Sequence, residues 1–163
     1  KKIYEKKYDV VKTRIHGFFG LREILLTGKD LMIHNYNGNP LRSYSERKLK
    51  RSPIRDLAGM IRSIYYVVYE GFLSNTQIRK EELTDLLPFA DSWAHYITNF
   101  LLRGYYDTIQ DKPFIPSDQS DRKIMIEAYI IENALHYLNY DLKTRPQKAI
   151  IPIRLIELML DTK

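Results

Sequence analysis

The sequence predicts an α+β fold, predominantly α-helical, with a small β-hairpin element near its N-terminal end. Three observations predict it. Short apolar runs broken by glycine and asparagine turns fill the first forty residues, apolar residues at spacings of three and four fill the chain from Ser52 onward, and no cysteine staples either part. At 163 residues, 44% of them hydrophobic and 28% charged, the chain is the size of one domain that buries roughly 68–70% of its unfolded surface without covalent help. That composition excludes a disordered tail, a collagen-like rod and a disulfide mini-scaffold. It reads as a single domain over 1–163, with a β and turn part at 1–40 and a helical part at 52–163.

In the first part, Val10-Val11 with Ile15, Ile24-Leu25-Leu26 and Leu31-Met32-Ile33 are the apolar runs. Gly17, Gly20, Gly28-Lys29-Asp30 and Asn37-Gly38-Asn39-Pro40 punctuate them. The pair Leu25-Leu26 and Leu31-Met32 around Thr27-Gly28-Lys29-Asp30 predicts a β-hairpin.

The helical part opens at Ser52, a good N-cap, with Pro53 at the first helical position. Ile54, Leu57, Ala58, Ile61, Ile64, Tyr65 and Val68 follow at helical spacing until Gly71. A second helix follows the acidic Glu81, Glu82 and Asp85, and its expected core face is Leu86, Phe89, Ala90, Trp93, Ile97, Phe100 and Leu101. A third begins near Ser120-Asp121 and places Ile124, Ala128, Ile131, Leu135, Leu138 and Leu142 on one face up to Arg145-Pro146. Pro152 opens a short last helix with Ile153, Ile156 and Leu160.

The net charge of +6 is unevenly spread: residues 1–55 hold 14 Lys and Arg against 5 Asp and Glu, and the remainder is slightly acidic. A basic first third suits an anionic partner, but no nucleic-acid motif accompanies it and a solvated basic face is the simpler reading. No apolar run approaches the ~20 residues of a membrane span, and Lys1-Lys2-Ile3-Tyr4-Glu5 lacks the apolar stretch of a signal peptide. With no cysteine, a reducing cytoplasm is the expected compartment. A chain opening on Lys1 is expected to be part of something longer. His16, His34, His95 and His136 show no metal-ligand spacing, and no nucleophile elbow, P-loop or dinucleotide glycine fingerprint occurs.

One stretch goes further. His16-Gly17-Phe18-Phe19-Gly20-Leu21-Arg22-Glu23, the hairpin, Asn35-Tyr36-Asn37-Gly38-Asn39-Pro40, and Ser52-Pro53-Ile54-Arg55-Asp56-Leu57-Ala58-Gly59-Met60-Ile61-Arg62-Ser63 follow in order. Further on come Glu132-Asn133-Ala134-Leu135-His136-Tyr137-Leu138-Asn139-Tyr140-Asp141-Leu142, Arg145-Pro146 and Ile151-Pro152-Ile153-Arg154. This series resembles the C-terminal lobe of maltokinases, trehalose-pathway sugar kinases related to aminoglycoside phosphotransferases and often fused to trehalose synthase. The resemblance implies a protein-kinase-like C-terminal lobe and, for the family, ATP-dependent phosphorylation of maltose.

It also implies that the catalytic positions are replaced. Phe18 stands at the family's catalytic aspartate, Glu23 at its metal-binding glutamine and Asn35 at its metal-binding aspartate, with Asn37 and Asn39 replacing two glutamates. Phosphoryl transfer needs a carboxylate to accept the hydroxyl proton and carboxylates to hold magnesium. No catalytic residue, metal or cofactor is therefore expected here. The retained Glu132 and Tyr140 are the substrate-binding candidates, and Arg55, Asp56 and Arg62 are expected to serve structurally, Arg55 and Asp56 within a salt-bridge network.

The expectation is a non-catalytic, pseudokinase-like module of a trehalose- or maltose-metabolising protein, with maltose or an α-glucan as ligand and a trehalose synthase or amylase-type domain as partner. Two alternatives stand beside it. One is an active sugar kinase using ATP and magnesium through a metal site rebuilt from Glu23; the other is an anion- or nucleic-acid-binding domain using Arg47-Lys48-Leu49-Lys50-Arg51. No membrane partner is expected.

Overall fold

The computed structural model describes Tyr8, residues 10–110 and residues 112–161; the N-terminal stretch Lys1-Lys2-Ile3-Tyr4-Glu5 lies outside them. In chain order, strands β1 (Ile24–Leu26) and β2 (Leu31–Ile33) precede helices α1 (Tyr44–Arg47), α2 (Ile54–Leu73), α3 (Lys80–Ile109), α4 (Gln119–Thr144) and α5 (Ile150–Asp161). Among the described residues the fold is mostly helical with one antiparallel hairpin, as the sequence predicts. None of the described helices is long and apolar enough to cross a membrane.

The hairpin pairs Ile24 with Ile33, Leu25 with Met32 and Leu26 with Leu31. Its turn is closed by Thr27, whose N–H and hydroxyl both donate to the Asp30 carbonyl. Gly28 takes the left-handed φ of 90° there, which glycine adopts without a Cβ penalty. The earlier run Val10–Ile15 forms no strand. Thr13 makes a single bridge to Arg51, with N–H to carbonyl bonds of 2.9 Å in both directions. The ladder stops because Pro53 has no N–H to extend it and the chain turns into α2.

The chain divides into two compact units, Lys1–Ile61 with Asp111–Asn133, and Arg62–Gln110 with Ala134–Lys163. The first buries Ile54, Leu57, Ala58 and Met60 of α2, Ile115, and Met125, Ile126 and Ile130 of α4. Ser52 caps α2 as expected, its hydroxyl accepting the Ile54 N–H at 3.4 Å. The second buries Tyr65, Tyr66 and Tyr69 of α2, Ala90 and Ala94 of α3, Ala134 and Tyr137 of α4, and Ile151 and Leu155 of α5.

Three helix faces differ from expectation. In α3 the buried positions are Ala90, Ala94 and Thr98, while Phe89, Trp93 and Phe100 face out. Small side chains let the packed neighbour approach closely, so the bulky residues occupy the outer face. In α4 the buried line is Met125, Ile130, Ala134, Tyr137 and Asp141, with Leu135 and Leu142 exposed. In α5 the buried residues are Ile151, Pro152 and Leu155, with Ile153 and Leu160 exposed; the helix starts two residues before Pro152, which is tolerated in the first turn. Helix α2 passes Gly71 and ends at Leu73.

Candidate functional site

The most constrained feature of the first unit is the loop His16–Phe19. Asp56, in the first turn of α2, accepts the His16 N–H at 2.7 Å on Oδ2 and the Gly17 N–H at 2.8 Å on Oδ1. Both carboxylate oxygens are thereby committed to the main chain of that loop. Burial pushes the Asp56 pKa above the ordinary carboxylate value, and the two amide bonds and the nearby His16 and Arg55 pull it back without cancelling the rise. Gly17 takes a left-handed φ of 79° between the two clamped amides and Phe18.

His16 fixes the loop from its other side. Its ring Nε2 is 2.7 Å from the carbonyl of His34, and its Nδ1 accepts the Phe18 N–H at 3.3 Å. The loop, the hairpin and the start of α2 are thus tied together through backbone atoms.

Phe18, which the sequence resemblance sets at a catalytic aspartate position, is half-buried in this clamped loop. Glu23 is buried in the short turn Leu21–Glu23, with its backbone bonded to Gly20 and His34. Asn35 is exposed, with a left-handed φ of 64° that asparagine tolerates better than most residues. Magnesium selects carboxylate oxygens. The two positions that the resemblance would assign to a metal offer one buried carboxylate and one exposed amide, a donor set poorer in carboxylates than magnesium favours, and no three His, Cys, Asp or Glu side chains gather into a metal-holding group among the described residues.

Glu132, the sugar-binding candidate, meets two cations. Its Oε1 lies 2.5 Å from Arg55 Nη2 and 3.4 Å from Arg42 Nη2. Arg55 also lies over the ring of Tyr129, 5.6 Å from its centroid. The expected network thus joins Arg55 to Glu132, while Asp56 bonds amides and makes no ion pair with Arg55. Arg42 was not singled out by the sequence. The signal for it is the turn before it: Asn39 Oδ1 accepts the Leu41 N–H at 2.9 Å and the Asn39 carbonyl accepts the Arg42 N–H at 3.0 Å.

In the basic stretch, Arg47 Nε donates to the Arg42 carbonyl at 3.0 Å and Lys48 lies 4.2 Å from the centroid of Tyr44, while Arg51 is held through its main chain, which bridges Thr13. Helix α1 is held by a capping box between Ser43 and Glu46, whose hydrogen bonds lower the Glu46 pKa.

Arg62 and Tyr140 belong to the second unit. Arg62 stacks 3.8 Å from the centroid of Tyr137 and 5.1 Å from that of Tyr66. Tyr140 packs edge-on to Tyr137, with Arg145 over its ring at 5.2 Å. Neighbouring Asp141, fully buried, accepts a hydrogen bond from Tyr66 Oη and pairs with Arg145 Nε at 2.5 Å. Burial, with the carboxylate beside it, raises the Tyr66 pKa. Hydropathy conceals Asp141, yet an aspartate four residues before an arginine was the available signal.

The main-chain-clamped loop, the hairpin and the helix opening on Arg55-Asp56 sit in a fold that solved kinase structures share. Those structures are of glucosamine kinase. Two crystal forms superpose with TM-scores of 0.73 and 0.74 at 17% identity, and the complex with glucosamine, ADP and inorganic phosphate superposes with 0.73 at 18%. Each comparison covers 94% of this chain, which spans only 35–36% of the length of those kinases. No protein-family model matches the chain.

Proposed function

We propose that the chain is a non-catalytic, kinase-like carbohydrate module of a trehalose- or maltose-metabolising protein, joined to or associated with an amylase-type domain such as trehalose synthase. One observation carries the reading. Asp56 commits both oxygens to the amides of His16 and Gly17, and the residue that follows on the same loop is Phe18. The nearest carboxylate is therefore engaged in scaffolding, and the position after the clamp offers no base. Loss of a general base costs about 10²–10⁴ in rate, and the donor set of Glu23 and Asn35 lacks the carboxylates that magnesium favours. ATP and magnesium have no role under this reading.

Recognition of maltose or a short α-glucan would fall to Glu132. Both of its ion pairs use Oε1, and a carboxylate has a second oxygen able to accept a sugar hydroxyl. Such an exposed contact gives affinity no better than about millimolar. The test has two arms. ADP release with ATP, magnesium and either maltose or glucosamine is expected to equal the blank; release above blank that Glu23→Ala abolishes would establish the kinase alternative. Maltose titrated into ¹⁵N-labelled protein is expected to move amides near Arg42, Arg55 and Glu132, and a flat response would remove sugar recognition from the proposal.

A further inference from the structure

The turn after the hairpin holds an asparagine followed by a glycine that the fold requires. Gly38 takes a left-handed φ of 74°, and a Cβ on it would lie 3.2 Å from both Cβ and Cγ of Arg47. Glycine alone meets both conditions without strain. Asn37 before it is exposed, and its side chain makes one long contact among the described residues, Nδ2 to Asn35 Oδ1 at 3.5 Å. The Gly38 N–H has no acceptor among the described residues.

An asparagine with this neighbour can close on itself: the glycine nitrogen is the nucleophile and the side-chain amide carbon the electrophile. The nitrogen must first lose its proton. Gly38 N and the Asn37 carbonyl belong to one peptide unit, so the charge left behind spreads onto the Asn37 oxygen. Arg47 Nη1 lies 3.5 Å from that oxygen, and a cation beside an ionising group favours the anionic form.

We infer that Asn37 is a site of spontaneous deamidation and that Arg47 activates the Gly38 nitrogen for it. That nitrogen gives its proton to solvent base and bonds to Asn37 Cγ. The Cγ–Nδ2 bond breaks and ammonia leaves with a proton returned by solvent, giving a succinimide. Water then opens the ring. Cleavage of the new bond to Cγ leaves aspartate; cleavage of the bond to the Asn37 main-chain carbonyl carbon leaves isoaspartate, with the main chain running through Cβ and Cγ. One water is consumed and one ammonia released, and no oxidant or reductant takes part.

The other asparagines lack the combination. Asn39 precedes Pro40, which has no N–H to lose. Asn99, Asn133 and Asn139 lie within α3 and α4, where the helix holds the next N–H. Asn75 Oδ1 is occupied by the Gln77 N–H at 2.9 Å, and Asn35 precedes the bulky Tyr36.

The product bears on the clamped loop. A Cβ on Gly17 would stand 3.5 Å from Gly38 Cα, so the main chain at Gly38 runs against the loop that Asp56 holds. Isoaspartate adds a methylene to the main chain at that contact, and either product adds a negative charge close to Arg47.

The test ages the full chain in mildly alkaline buffer beside a synthetic peptide of residues 30–42, the tryptic fragment that contains Asn37. Mass spectrometry of the digested protein is expected to show a gain of about 1 Da at Asn37 alone, as aspartate and isoaspartate, over the time in which the peptide converts. The rate should rise with pH, since the nucleophile is the deprotonated nitrogen. Arg47→Met keeps an unbranched stem against Gly38 and removes the cation, so conversion should slow about two- to five-fold. Arg47→Gln is read the same way, and circular dichroism checks that each variant is folded. Lys48→Met removes the adjacent cation, which lies over Tyr44, and should leave the rate unchanged. Asn37→Gln should abolish conversion, because its larger ring closes far more slowly. In ¹⁵N spectra the His16 and Gly17 amides should move as product accumulates.

Asn37 that stays intact while the free peptide converts fully overturns the inference, as does earlier conversion at another asparagine. A rate that folded Arg47→Met and Arg47→Gln leave unchanged or raise, or that Lys48→Met lowers equally, overturns the role of Arg47. His16 and Gly17 amides that stay fixed in converted protein overturn the coupling to the clamped loop.

Discussion

A methyl group placed on Gly59 would lie 2.6 Å from the carbonyl oxygen of Phe19. Helix α2 therefore touches the loop after the Asp56 clamp at a point where only a hydrogen fits. Gly59→Ala should lower stability by about 1–2 kcal/mol, the overpacking cost less the helix-propensity gain. Gly104, within α3, has nothing within 4 Å of its missing Cβ, and Gly104→Ala should raise stability by about 0.5–1 kcal/mol. Thermal melts of the two variants should move in opposite directions, by about 2–4 °C per kcal/mol.

Asp56 makes stability depend on pH in a defined direction. Its folded pKa is raised from 3.8, chiefly by burial. The native state then holds more protons than the unfolded chain between 3.8 and the raised value, so stability falls as pH rises through that interval. The contribution is complete below the interval and lost above it. Asp56→Asn has no proton to exchange, so the gap in urea midpoint between wild type and variant should narrow as pH rises. A widening gap would mean that the His16 and Gly17 amides, rather than burial, set the pKa.

Loss of either partner of the buried Asp141 should be costly. Arg145→Met leaves a fully buried carboxylate without its cation, and Arg145 is itself only 24% exposed. The expected cost is about 2–4 kcal/mol, somewhat below that of a wholly buried pair. Tyr66→Phe removes one hydrogen bond to the same carboxylate and should cost about 1.5–3 kcal/mol. Denaturant unfolding of both variants and of the double variant should give a sum that fails to add, because both partners act on one group.

Aspartates at positions 18 and 35 should not by themselves create a kinase. The double variant Phe18→Asp, Asn35→Asp sets carboxylates where the sequence resemblance expects a base and a metal ligand, but the sequence shows no glycine-rich phosphate loop. Positioning of reactants accounts for about 7–11 kcal/mol of a bimolecular barrier. ADP release with maltose should stay at blank for this chain alone; release above blank would show that it holds nucleotide unaided.

Helix α2 and the hairpin were legible because each has a local signature. Ser52-Pro53 marks the helix start, and the turn Thr27–Asp30 separates two short apolar runs. The faces of α3 and α4 were not legible, because apolar spacing counts Phe89 and Trp93 above Ala90 and Ala94, whereas packing distance favours the small residues. The clamp joining Asp56 to His16 and Gly17 spans about forty residues, and main-chain acceptance leaves no mark on which side chains the loop carries. Glu132 was legible as a candidate, but its ion pairs with Arg42 and Arg55 needed the third dimension.

Because Asp56 grips N–H groups alone, the clamp on its loop does not depend on which side chain stands at position 18. The loop is a scaffold whose hydrogen bonding is indifferent to the chemistry it presents, so a change of side chain there alters packing and reactivity without breaking the clamp.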